Sequence, residues 1–143
     1  MDESLFSYIE GSADSEMMLY LALTFGLEDD PPGAVEKMVG FIEGVGRRHG
    51  VEHPIQMTIG TSEGKSVWAF RYSSERDSRT LFYSTDVRKL HPELTLLEAV
   101  SDETRIVVSE PLGNLSGAWN EVPESTYGVV QDGDDEMRPF RPA

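Results

Sequence analysis

Between residues 31 and 59 the spacing of apolar side chains changes period, and that change decides the fold class. Val35, Met38, Val39, Ile42 and Val45 recur at intervals of three and four, after which Ile55, Met57 and Ile59 alternate with Gln56 and Thr58. The first pattern predicts a helix with one buried stripe, from about Pro32 to Arg48, and the second a β-strand. Gly50 is a plausible helix stop. Gly40, Gly44 and Gly46 are poor helix formers, so they mark close packing against another helix or a sheet.

Upstream of this switch a first helix starts near Asp14. Met17, Met18, Leu21, Leu23, Phe25 and Leu27 give it an apolar majority, which predicts burial on more than one side. Gly26 and Glu28-Asp-Asp-Pro-Pro-Gly33 end it. Residues 1–13 read as a lead-in segment with an apolar cluster at Leu5, Phe6, Tyr8 and Ile9.

Downstream the reading is of strands. The run at 55–59 and Val67 to Tyr72, separated by Ser62-Glu-Gly-Lys65, form a hairpin. Leu81-Phe82-Tyr83 is a third strand and Ile106-Val107-Val108 a buried one. Residues 86–100 read as irregular or weakly helical, with Leu94, Leu96, Leu97 and Val100 packing. Tyr127, Val129 and Val130 belong to a further strand, and Asp132-Gly133 reads as a tight hairpin turn. Arg138 to Ala143 is a proline-containing tail. Two helices followed by five or so strands give an α+β fold, with the helices covering one face of a mostly antiparallel sheet. A length of 143 residues fits one domain.

Composition narrows the function. Net charge is −14, from 26 acids against 12 bases, which argues against nucleic acid and anionic membrane surfaces, since both require clustered Lys and Arg. No apolar run reaches the roughly 18 residues of a membrane span, and Met1-Asp-Glu-Ser-Leu-Phe6 is too acidic for a signal peptide. The expected compartment is the cytoplasm. The chain has no cysteine, which excludes disulfides, thiolate nucleophiles and zinc-cysteine sites within it. No metal or cofactor is expected.

Three local patterns read as structure rather than chemistry. Gly60-Thr-Ser62-Glu-Gly64 matches Gly-x-Ser-x-Gly, but that motif requires a strand, a sharp turn and a helix, and here a strand follows. His49 and His53 are four apart, yet Gly50 and Pro54 interrupt a helix between them; His91 precedes Pro92 and has no evident partner. Asp132-Gly-Asp-Asp-Glu136 is acid-dense but lacks the twelve-position ligand spacing of a calcium loop.

Gly11-Ser12-Ala13-Asp14-Ser15-Glu16, leading into an apolar helix, resembles the Thr-Asp-Ser-Glu segment of class II glutamine amidotransferases, with Ala13 where the family often has Thr. Val107-Val-Ser109-Glu110-Pro-Leu112 and Trp119-Asn-Glu-Val-Pro123 are similar to a late strand and loop of that family's stand-alone bacterial branch. The two segments, in order, extend the resemblance over nearly the whole chain, as the C-terminal half of the domain.

The resemblance implies half of an α-β-β-α sandwich of the N-terminal-nucleophile hydrolase type. Residues 1–143 would then form a single partial domain. It implies a parent that hydrolyses glutamine to glutamate and ammonia, with Asp14 binding the α-amino group of the substrate. Pattern alone would instead make Asp14 a helix N-cap. Ser109, Glu110 and Trp119 are expected to be structural. The family's N-terminal Cys nucleophile, its oxyanion-stabilising Asn-Gly pair and its carboxylate-binding Arg lie upstream of the Asp motif, and neither Asn114 nor Asn120 precedes a Gly. The chain is therefore expected to be inactive alone, either as a fragment or as a binding module. The implied partners are glutamine, where the site is complete, and a second copy or a complementary N-terminal half.

Overall fold

Helices come first in the chain and antiparallel strands after them, as the change of apolar period requires. The computed structural model describes residues 2–85, 87, 104–112, 117–131 and 135–143. They fall into two compact units, one of residues 1–55 with 140–143 and one of residues 56–139.

The first unit opens with a 3-10 helix, Glu3–Tyr8, capped by Asp2, whose carboxylate accepts the Ser4 N–H at 2.9 Å. This segment was expected only as a lead-in. It is tied to helix α1, Asp14–Thr24, by the Asp2 N–H on Thr24 Oγ1 at 3.0 Å and the Tyr20 hydroxyl on the Tyr8 carbonyl at 2.7 Å. Its expected apolar cluster does not close, because Phe6 and Tyr8 stay exposed. Helix α1 is also less covered than its composition implies. Leu21 and Ala22 are buried, while Met17 and Leu19 are largely open to solvent.

Helix α2, Pro31–Arg48, is capped by Asp30, which accepts the Gly33 N–H, and carries Pro at its first two positions, where no intrahelical N–H is needed. Val35, Met38 and Val39 are buried as the stripe predicts, with Ala34 and Gly46 added. Gly50, at φ +74°, supplies the left-handed residue that ends it. The expected close packing at the glycines is real, but the partners are different. A Cβ on Gly46 would lie 2.7 Å from the Pro54 ring, and one on Gly40 would overlap the Ala143 carbonyl group. The segment 140–143 is fixed there by the Arg141 N–H on the Glu36 carboxylate at 2.7 Å and the Ala143 N–H on the Glu36 carbonyl at 3.2 Å.

The strands of the second unit are β1 Gln56–Ser62, β2 Val67–Ser73, β3 Phe82–Ser84, β4 Val107–Val108, β5 Trp119–Glu121, β6 Thr126–Val130 and β7 Glu136–Pro139. They form two antiparallel sheets, in the orders β1-β2-β6-β7 and β4-β3-β5. The expected hairpin pairs β1 with β2 in the register Ile59 opposite Phe70. Ala69, Leu81, Tyr83, Val122 and Val130 form a buried cluster that draws on both sheets.

The α+β class is borne out, and two points are corrected. The strands divide between two sheets rather than one, and β7 occupies the start of what read as a tail. All four of its residues are exposed, so it has no apolar alternation to announce it, and it ends on Pro139 at the edge of its sheet. The packing expected of Leu94, Leu96, Leu97 and Val100, and the turn expected at Asp132-Gly133, lie outside the described residues, as do His91 and Asn114.

Candidate functional site

The site is built at the head of α1. Ala13 occupies the N-cap in extended conformation, with no side-chain hydrogen bond to offer. Its methyl group cannot take up the amides of the first turn, which in most helices is the task of a Ser, Thr or Asp at this position. Asp14 is therefore the first helical residue. This corrects the N-cap reading, since the helix begins one residue earlier than a capping Asp14 would allow.

The Asp14 carboxylate stands in solvent. Its Oδ1 accepts the Ser15 N–H at 2.7 Å, and among the described residues no other donor reaches it. The positive end of the helix peptide dipoles favours a carboxylate here. The second oxygen remains open to a cationic donor such as an ammonium group.

Glu16 does what Ala13 cannot. Its Oε1 accepts the Glu10 N–H and its Oε2 the Gly11 N–H, both at 2.9 Å. An N3 glutamate usually reaches back to the N-cap amide; here it reaches two and three residues further, and so pins the approach to the helix. Gly11 makes this approach possible, because a Cβ there would lie 2.9 Å from Oε2. The sequence placed Glu16 only as the last residue of the motif that leads into α1. Its spacing from Gly11 was the available signal for the clamp.

A second polar cluster sits between the two sheets of the strand unit. Arg71, buried on β2, donates from Nε to Ser78 Oγ at 2.9 Å, and from Nη1 to Glu121 Oε1 at 2.5 Å and the Val122 carbonyl at 2.8 Å. Ser78 Oγ donates a short hydrogen bond to Glu124, which also accepts the N–H groups of Ser78 and Ser73. Burial works against charge on Glu124, but the hydrogen bonds from Ser78, Ser73 and Ser125 outweigh it and hold the carboxyl below its ordinary value of 4.5. These polar atoms serve one another, and the cluster ties the sheets together.

The remaining candidates resolve as local structure. Ser62 ends β1 with its hydroxyl on the Ser66 carbonyl and under the Gly64 N–H, inside a hairpin whose Gly64 has φ +95°. Gly60–Ser62 is thus the end of strand β1, the turn begins at Glu63, and no helix follows the serine. His49 is the C-cap of α2 and His53 follows in a bend. Thr80 donates to the Ser109 carbonyl at 2.8 Å, and Trp119 pairs with Ser84 in β5. Among the described residues no helix is long and apolar enough to cross a membrane.

The order of elements, an apolar helix headed by an open carboxylate, an amphipathic helix and then antiparallel strands, agrees with the resemblance to part of a class II glutamine amidotransferase domain. Among solved structures the chain is similar to a glutamine aminotransferase class-II domain protein from Silicibacter pomeroyi, at 28% identity and a TM-score of 0.81, over 99% of this chain and 58% of that one. The chain thus spans somewhat over half the length of that protein, and the likeness bears out the resemblance. No family model and no curated protein matches the chain.

Proposed function

We propose that these residues are the substrate-binding, non-nucleophilic portion of a class II glutamine amidotransferase of the N-terminal-nucleophile hydrolase type. In this reading Asp14 holds the α-ammonium group of glutamine. The observation that carries it is the open Asp14 carboxylate at the head of α1, presented by a loop that Glu16 and Gly11 fix. A charge-assisted bond from an ammonium to this carboxylate would orient the side-chain amide for attack. With no cysteine among the 143 residues, a thiol nucleophile must come from other residues. The chain by itself is then inactive.

The test is ammonia release from L-glutamine, measured for the chain alone and for the protein extended by the segment encoded in frame upstream. The chain alone should release none, and turnover by it would overturn the reading. In the extended protein Asp14→Ala should raise KM at least tenfold while leaving Tm within about 1 °C. A fall in Tm with KM unchanged would make Asp14 a helix-terminus residue and nothing more.

A further inference from the structure

Three side chains of α1 fasten the chain that precedes it. Glu16, Tyr20 and Thr24 follow one another at intervals of four, which places them on one face of the helix, a turn apart. Each holds a different part of residues 2–11. Thr24 Oγ1 accepts the Asp2 N–H at 3.0 Å, and the Tyr20 hydroxyl donates to the Tyr8 carbonyl at 2.7 Å. The Glu16 carboxylate accepts the Glu10 and Gly11 N–H groups, one on each oxygen, at 2.9 Å. The lead-in segment therefore runs back along α1, and its last fastening is the one nearest Asp14.

The three fastenings are not equivalent. Only Ser12 and Ala13 separate Gly11 from Asp14. Ala13 offers the helix start no side-chain cap, and helix ends fray. Asp14, the first helical residue, is the one that fraying would displace first. Glu16 lies in the same turn and ties that turn to Gly11, so its carboxylate does the work of the missing cap. Tyr20 and Thr24 act one and two turns further along and hold the lead-in without holding the first turn.

We propose that Glu16 is a positioning residue: it keeps Asp14 where an α-ammonium group can meet it, and so sets the preference for a substrate that carries one. This rests on the reading of Asp14 as the glutamine-binding carboxylate. Glu16 acts through Gly11 and the first turn, with both of its oxygens already occupied by backbone amides. Recognition of an ammonium by one carboxylate depends on placement, and a misplacement of about 1 Å can cost about 100-fold in rate. Loss of Glu16 should therefore be selective. A displaced Asp14 forfeits the α-ammonium contact and leaves recognition of the rest of the substrate as it was.

The experiment compares L-glutamine with glutaramate, the same molecule without its α-amino group, on the protein extended by the segment encoded in frame upstream. KM is measured for L-glutamine and Ki for glutaramate as a competitive inhibitor. Glu16→Ala should raise KM at least tenfold with Ki within twofold of the wild type. Glu16→Gln, which keeps one acceptor oxygen, should fall between the two. Gly11→Ala should match Glu16→Ala, and the double variant should be no worse than either, because both remove the same contact. Tyr20→Phe cuts the next fastening and should leave KM at the wild-type value. An unchanged KM in Glu16→Ala and Glu16→Gln, equal rises in KM and Ki, or an equal rise in Tyr20→Phe would overturn the proposal. Asp14→Ala separates the two readings. If it raises KM while the Glu16 variants do not, only the positioning role fails. If it leaves KM unchanged, the glutamine reading of Asp14 fails and the positioning role with it.

Discussion

Gly11 donates its N–H to Glu16 Oε2 at 2.9 Å across a gap that has no room for a Cβ. Glycine and glutamate five residues apart thus act as one device, which fixes the loop that presents Asp14. Gly11→Ala should push the Glu16 carboxylate away and release the Glu10 and Gly11 amides. Hydrogen-exchange NMR should find both exchanging as fast as open loop amides, at a cost to stability of about 1 kcal/mol, typical of a hydrogen bond. Fast exchange of both amides already in the wild type would show that the clamp does not hold in solution.

Arg71 joins β2 of one sheet to Glu121 of the other and to the Val122 carbonyl. Arg71→Met keeps the aliphatic stem but strands the Ser78 and Val122 acceptors. Urea denaturation should register a loss on the order of 3 kcal/mol, as for removal of one member of a buried charged network. Arg71→Lys should recover only part of it, since one ammonium cannot reproduce the planar fork.

Glu124 gives the stability a pH dependence of known sign. Its folded pKa lies below 4.5, so its charged form is favoured by folding. The resulting stabilisation is complete above about pH 4.5, and it is lost as the pH falls through the lower, folded value. The Tm of the wild type should therefore decline more steeply below pH 4.5 than that of Glu124→Gln. Parallel curves would remove Glu124 as the source.

Two glycines on α2 should respond in opposite ways. A methyl at Gly40 would overlap the backbone of Ala143, whereas one at Gly44 meets only the flexible end of Arg48 at 3.6 Å. Gly44→Ala should raise stability by up to about 1 kcal/mol through helix propensity. Gly40→Ala should instead lower Tm and expose the Ala143 amide to exchange. Equal effects at the two positions would contradict the seating of residues 140–143 on α2.

The sequence made the elements with strong periodicity legible. The stripe on α2 and the alternation in β1 are direct consequences of one-sided burial, and both appear where expected, whereas β2 buries Ala69, Phe70 and Arg71 in succession. The 3-10 helix and β7 were not legible because their side chains are mostly exposed, and exposed positions impose no pattern. The division into two sheets was also hidden. It depends on which strands pair across long separations, such as Arg71 of β2 with Thr126 of β6, and no local property of either strand encodes that choice. At the site, the motif pointed to Asp14, but the clamp was missed because Glu16 acts on amides upstream of the helix rather than at its cap.

Residues 140–143 close against the helical unit although the entire strand unit lies between them and α2 in the chain. This separation has a consequence for biosynthesis. A ribosome delivers both helices before the strand unit, so the surface around Gly40 must wait, unsealed, until everything from 56 to 139 has been translated. During that interval a nascent chain would offer chaperones a helical pair lacking its closing strap, and premature termination anywhere in the strand unit would leave both units incomplete.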